Sequence, residues 1–281
     1  MTEKHIEDSS APLIDHLIEL RTRLIRSILA FVIGMMLCFA VAEQIYEFLA
    51  APLIEALVER GRDPGMIVTA PQEILFTYFS VSMFGGLFLA FPLIAVQLWR
   101  FVAPGLYKSE QSAFLPFLIA SPLLFVTGAA FAYYGALPLA LDFFLSFERQ
   151  LDPEGAGLAI ELNSKVNEYL GLAMKFILAF GICFQLPVAL TLMAKAGLMS
   201  SEALIRNRKY AIVGLLVLAA LFTPPDVFSM LLLFGVIFSL YEVSIFLVKM
   251  VEKKREEKLR AEGYYDDEDE EDGDSGEEED R

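Results

Sequence analysis

Long apolar stretches separated by short charged segments dominate this 281-residue chain. Runs without a charged residue occupy positions 27–42, 74–99, 112–141, 176–194 and 210–225. A helix needs about 20 apolar residues to cross a hydrocarbon core about 30 Å thick. The pattern predicts six spans, near residues 24–41, 75–99, 113–134, 169–192, 210–222 and 227–248. The fifth covers only about 13 residues, or about 20 Å of helix. The sixth has about 15 residues before the charge of Glu242, so both require local bilayer thinning, snorkelling or shielding by neighbouring helices. Thr223-Pro224-Pro225-Asp226 joins these two spans with almost no loop. Its prolines fix φ and remove backbone donors, which makes a tight helical hairpin.

The polar segments also carry periodicity. Ile14, Leu17, Ile18 and Leu24 follow helical spacing, so an interfacial helix is expected before the first span. Ile45, Phe48, Leu49, Leu53 and Leu57 predict a short amphipathic helix within 43–72, lying on the membrane or on the bundle. Residues 142–168 are more polar and carry Asp152-Pro153-Glu154-Gly155 turn chemistry. Pro92, Pro116 and Pro122 interrupt the apolar runs and predict a bent, concave bundle.

Composition agrees with this pattern. Apolar residues make up 56% of the chain, above the roughly 45–50% of soluble domains. The net charge of −15 is less informative than it looks, because residues 262–281 hold thirteen acids and one arginine. Without that block the chain carries −3. Such a block is expected to be disordered, serving as a solubilising tail or as a tether for a basic partner. Basic residues set the orientation. With the N-terminus inside, the cytoplasmic segments hold seventeen of the 22 Lys and Arg, which predicts both ends in the cytoplasm. The first 26 residues lack a compact apolar core, so no cleavable leader is expected. Cys38 and Cys183 lie inside apolar runs and read as packing residues. The expected fold is therefore an all-α membrane protein of six transmembrane helices in a bent, concave bundle, N-in and C-in, with short fifth and sixth spans. Residues 1–23 form a cytoplasmic N-terminal amphipathic segment, 24–248 the membrane domain and 249–281 a cytoplasmic tail, acidic from about 262.

Candidate chemistry is sparse. His5 and His16 both precede the first span, and no nucleophile elbow, zinc motif or phosphate loop occurs. Neither an enzyme, a metal, a cofactor nor a nucleic-acid partner is expected. Glu242, the one acid well inside an apolar run, has no second carboxylate beside it in the sequence. Two acids at the cytoplasmic face carry more. Glu19 reads either as an i,i+4 partner of Arg23 or as a carboxylate held near the headgroups to receive a cation. Glu110 would complement a helix N-terminus behind the cap Ser109. It also sits beside Phe101, Pro104, Leu106 and Tyr107, an apolar ledge suited to a ligand cationic at one end and apolar at the other. Pro187 removes a backbone donor and predicts a kink in the fourth span; Gln185, two residues before it, reads as interhelical glue, Lys175 as a snorkelling side chain, and Asp226 as a helix cap. A small-solute transporter with a midplane site and a purely structural scaffold remain the competing readings.

Four separated motifs resemble the TatC family, the receptor subunits of the twin-arginine protein translocase. They are His16-Leu17-Ile18-Glu19-Leu20-Arg21-Thr22-Arg23, Phe101-Val102-Ala103-Pro104-Gly105-Leu106-Tyr107-Lys108-Ser109-Glu110, Phe184-Gln185-Leu186-Pro187 and Thr223-Pro224-Pro225-Asp226. The resemblance covers roughly residues 12–250. It implies recognition of Arg-Arg signal peptides on folded cargo and export driven by the proton-motive force across the bacterial inner membrane. The implied partners are TatA-like and TatB-like single-span proteins and further copies of the chain. By motif position, Glu19 and Glu110 are the implied signal-peptide carboxylates, supported by Leu20, Arg21, Phe101, Pro104, Leu106, Tyr107 and Lys108. A guanidinium is held bidentately by a carboxylate, a geometry lysine matches poorly. Gln185 and Asp226 are the implied intramembrane polar or partner contacts. Many relatives carry Glu at the position of Gln185. Glutamine keeps hydrogen-bonding capacity but cannot titrate. Some relatives have a polar residue where Met230 stands, which weakens the carry-over of partner contacts there.

Overall fold

The computed structural model describes residues 4–63, 65–102, 115–147 and 165–261. These form an all-α, multi-pass membrane bundle. Among the described residues, five helical stretches are long and apolar enough to cross a membrane: Leu17–Ala40, Glu73–Phe101, Pro116–Leu145, Val166–Lys195 and Val227–Glu257.

The first helix, α1 (Lys4–Ala40), runs without interruption through the expected interfacial segment and the first span. Nothing between Arg23 and Leu24 breaks a helix, so the two expected elements are one. The amphipathic segment becomes α2 (Ala42–Glu59), whose Leu49, Leu53 and Leu57 are buried against the bundle. Gly61, at φ 72°, ends it in the left-handed conformation that glycine adopts freely. There the Gly61 and Arg62 N–H groups donate back to Val58 and Leu57. Pro52 lies inside α2 and cannot donate to the carbonyl of Phe48 one turn earlier. That carbonyl is instead paired by the hydroxyl of Tyr133, at 2.6 Å. The Tyr169 hydroxyl donates to the next carbonyl, Leu49, at 3.0 Å. Two phenols from later helices therefore bolt α2 onto the bundle, and Arg60 adds a 3.3 Å contact to Asp142.

After α2 comes α3 (Glu73–Val102), antiparallel to α1. The two approach closely at glycines. A Cβ on Gly86 would lie 2.5 Å from the Met35 backbone nitrogen, and one on Gly34 2.9 Å from the Gly86 carbonyl. In lipid, small residues allow this kind of backbone approach, and packing rather than water exclusion holds the pair.

The expected third span, 113–134, extends further. It comprises α4 (Leu115–Phe131), a π-helical turn over Ala132–Ala136, and α5 (Leu137–Leu145). Pro138 follows the widened turn. Its ring clashes with the carbonyl four residues back, that of Tyr134, and the Leu137 N–H bonds to Ala132 five residues back. The fourth span breaks where Pro187 predicts it, into α6 (Val166–Cys183) and α7 (Leu186–Lys195), with Phe184 and Gln185 between them. A short α8 (Ser201–Arg206) is capped by the Ser200 hydroxyl and leads into α9 (Arg208–Phe222). With 15 residues, α9 is about 22 Å long. The final helix, α10 (Val227–Ala261), starts behind Asp226, whose Oδ1 accepts the Ser229 N–H at 2.6 Å. The predicted hairpin and its cap are both present. The core collects where α2, α3, the π turn, α5 and α6 meet, around Leu53, Val81, Leu137, Leu170 and Phe180.

Candidate functional site

Glu19 lies on α1, ahead of the fully apolar part of the helix. The Nε and one terminal nitrogen of Arg23 both donate to its Oε1, the former at 3.0 Å. The other terminal nitrogen of Arg23 reaches Gln97 Oε1 on α3, at 3.5 Å. Local spacing explains the first contact, since residues four apart share a helix face. The antiparallel packing of α1 and α3 explains the second. Glu19 thus holds a guanidinium through one oxygen, leaving its second oxygen outside the pair. Leu20 and Arg21 beside it are exposed. Gln97 is one turn before Phe101, so the end of α3 that leads into residues 103–114 lies at the level of Glu19. Phe101 is half-buried. Pro104, Leu106, Tyr107, Lys108, Ser109 and Glu110 lie outside the described residues, as does the turn at 152–155.

Gln185 sits at the break between α6 and α7 and is bonded within the chain at both ends of its amide. Its Oε1 accepts the Ser121 hydroxyl at 2.6 Å, and its Nε2 donates to the Ser121 carbonyl at 2.8 Å. Trp99 donates its indole N–H to the same hydroxyl at 3.2 Å. Three elements, α3, α4 and the α6–α7 break, therefore share one polar knot around a buried serine. The interhelical-glue reading fits this arrangement. Asp226 caps α10, and its Oδ2 is buried without a partner among the described residues, as is the Ser229 hydroxyl. Lys175 is exposed, as a snorkelling side chain would be.

Glu242 is paired with a cation rather than with a second acid. Arg208, at the start of α9, donates to its Oε2 at 2.8 Å. The Tyr241 hydroxyl beside it donates to the Leu204 carbonyl at 2.8 Å, so α10 is tied to both α8 and α9. Sequence reasoning missed the Trp99–Ser121, Arg208–Glu242 and Tyr133–Phe48 contacts. Only the last left a local signal, because Pro52 deprives the Phe48 carbonyl of its helical donor.

Among the described residues no group of three or more His, Cys, Asp or Glu side chains could hold a metal ion. Both cysteines are free and buried, Cys38 on α1 and Cys183 at the end of α6.

Residues 15–235 match the family described as Sec-independent protein translocase protein (TatC). A Sec-independent protein translocase protein TatC from Magnetococcus marinus is 48% identical over 255 residues, covering 91% of this chain and 90% of that one. The protein of the same description from Escherichia coli K12 is 38% identical, with 86% and 89% covered. A crystal structure of a twin-arginine translocase receptor TatC superposes with a TM-score of 0.71 at 40% identity, covering 84% of this chain and 99% of that one. The motif resemblance and these likenesses agree across nearly the whole membrane domain, and the chain belongs to the TatC family.

Proposed function

We propose that the chain receives twin-arginine signal peptides of folded proteins at its cytoplasmic rim, with Glu19 and Glu110 as the guanidinium-binding carboxylates. Membership of the TatC family makes it a membrane receptor and core subunit of the Tat translocation system, a multi-pass protein of the bacterial inner membrane, and not an enzyme. In the proposed topology α9 is the short fifth of six spans, with both termini cytoplasmic and the membrane domain at 24–248 between the amphipathic segment 1–23 and the tail 249–281. The proposed partners are TatA-like and TatB-like single-span proteins, and the driving force is the proton-motive force.

One observation carries the site reading. Glu19 already holds a guanidinium through two N–H donors, those of Arg23. A charge-assisted pair of this kind is a template for binding a peptide arginine. An incoming Arg would engage the second oxygen or displace Arg23 onto Gln97, which Arg23 already reaches. The position of the α3 terminus beside this pair supports bringing 101–110 to the same rim. Phe101, Pro104, Leu106 and Tyr107 would then cover the apolar part of the ligand, with Leu20, Arg21 and Lys108 around it.

The test measures binding of an Arg-Arg signal peptide and its Lys-Lys counterpart to full-length protein in nanodiscs, alongside Glu19→Ala and Glu110→Ala. Tighter binding of Arg-Arg, lost in both variants, is the expected result. Equal binding of both peptides by all three proteins overturns the assignment. Gln185 and Asp226 are proposed as polar positions near partner helices, although both make the internal bonds described above.

A further inference from the structure

An apolar cavity of about 480 Å³ opens between α1, α2, α3, α4 and the π turn. Its walls include Cys38, Phe48, Gly85, Phe88, Ala129 and Tyr133 and are almost entirely carbon. Apart from Phe48 and others on α2, the lining belongs to candidate membrane spans, so the cavity lies among the spans close to their α2 end.

Its construction is specific. The π turn widens the helix and contributes two adjacent tyrosines. Tyr133 stacks on Phe48 at 4.3 Å between ring centroids and is pinned by its bond to the Phe48 carbonyl. Tyr134 meets Tyr133 edge-on at 4.7 Å and remains 73% exposed beside the mouth. Leu89 and Val126 complete an exposed rim, so the mouth opens sideways into lipid. Gly85 and Cys38 pack side by side in the wall, where a Cβ on the glycine would lie 2.9 Å from the Cys38 sulfur. A π turn inside a helix frequently marks a functional site.

We propose that this cavity binds a single phospholipid acyl chain, entering laterally between Leu89 and Val126. Three arguments select that occupant. Apolar cavities stay dry, so water does not fill it. Left empty, it would deprive every wall atom of dispersion partners. The mouth opens onto the hydrocarbon phase, whose material is acyl chain. Occupancy would brace α2 and the π turn from within, which distinguishes this chain from lipid lying against the outside of the bundle.

The test uses full-length protein in nanodiscs containing a phospholipid with a photoreactive diazirine midway along one acyl chain, with adducts mapped by mass spectrometry. Expected are adducts at Cys38, Ala129 and Tyr133, residues that outside lipid does not reach. Ala130→Trp, which fills the mouth, lowers these adducts about fivefold and leaves those at Val217 and Leu221 unchanged. The latter two sit on an open face, 65% and 77% exposed, and report an intact fold. If Ala130→Trp loses the open-face pattern, Ala130→Leu replaces it and a smaller, parallel loss is expected. Two outcomes overturn the proposal. One is an absence of adducts in the cavity, or adducts unaffected by filling the mouth. The other is loss of the cavity adducts when a single-span partner is added, with photo-crosslinks from the cavity to that partner. Neither readout involves a signal peptide, so the result is independent of the carboxylate assignment.

Discussion

Replacing Gly86 with alanine puts a methyl group 2.5 Å from the Met35 nitrogen and 2.6 Å from its Cα. Both atoms are backbone, so no rotamer change relieves the overlap, and α1 and α3 must part by about 1 Å. A gap of 0.5–1 Å forfeits about a quarter to a half of each dispersion well along the seam. Overpacking of this kind costs about 1–3 kcal/mol. Alanine returns about 1 kcal/mol through its better helix propensity, so the net loss is about 0–2 kcal/mol. Gly235→Ala is the control, because nothing lies within 4 Å of the added methyl and only the propensity gain operates. The two substitutions should therefore shift stability in opposite directions. Unfolding of the purified chain, followed by circular dichroism, measures the shift. Cys38 gives a local reading, since its sulfur is packed at the same seam beside Gly85. Maleimide labelling of Cys38 should accelerate in Gly86→Ala and stay slow in Gly235→Ala. Equal stability of both variants, with unchanged labelling, would refute the close-packed crossing and the energetic reasoning built on it.

Three further outcomes follow from the polar contacts. Tyr133→Phe keeps the stack on Phe48 but orphans its carbonyl, and should cost about 1–2 kcal/mol. In a Pro52→Ala background, where the backbone donor is restored, the same substitution should cost less, and a double-mutant cycle of unfolding midpoints reads the difference. Gln185→Glu replaces the amide donor facing the Ser121 carbonyl with an acceptor. The loss should be about 0.6 kcal/mol and no more than about 1.7 kcal/mol, the average and the maximum for interhelical bonds in membranes. Emission of the chain's one tryptophan, Trp99, should shift because the same serine hydroxyl holds its indole. Arg208→Leu breaks the ion pair at the α9–α10 seam, and the cost should stay below about 1 kcal/mol because both side chains are more than a third exposed. Arg208→Leu combined with Glu242→Leu should recover most of it in the same unfolding assay.

Periodicity along the chain was enough to place α2, since Leu49, Leu53 and Leu57 recur every four residues and all three are buried. Proline chemistry placed the break before Pro187 and the Asp226-capped hairpin. Hydropathy alone failed at ends. It could not separate an interfacial helix from a span when no breaker lies between them, and α1 runs through both. Nor did it carry the third span to Leu145, because the apolar run 112–141 is longer than one crossing needs and a π turn leaves no mark in composition. Contacts across long sequence separations were the least legible. Trp99, Ser121 and Gln185 carry no shared local pattern, yet they meet because three elements converge at one depth.

The Glu19 pair shows how such local and distant signals combine. The i,i+4 spacing to Arg23 suggested a self-contained surface pair, and the bond exists. Spacing did not reveal that Arg23 is shared with Gln97 of α3, which makes the pair a junction between α1 and the approach to residues 101–110. A purely local pair on an exposed helix face contributes little to stability. A junction joining two helices can be retained for what it positions, because moving α1 moves the carboxylate. The glycine crossing at Gly34 and Gly86 sits on the same two helices, further along. Close packing at that end fixes the angle at which α1 presents Glu19 at the other. Gly86→Ala should therefore also weaken Arg-Arg peptide binding in nanodiscs, through a residue that touches no ligand, while Gly235→Ala leaves binding unchanged. Undiminished binding in a Gly86→Ala protein whose Cys38 labels fast would uncouple the crossing from the rim.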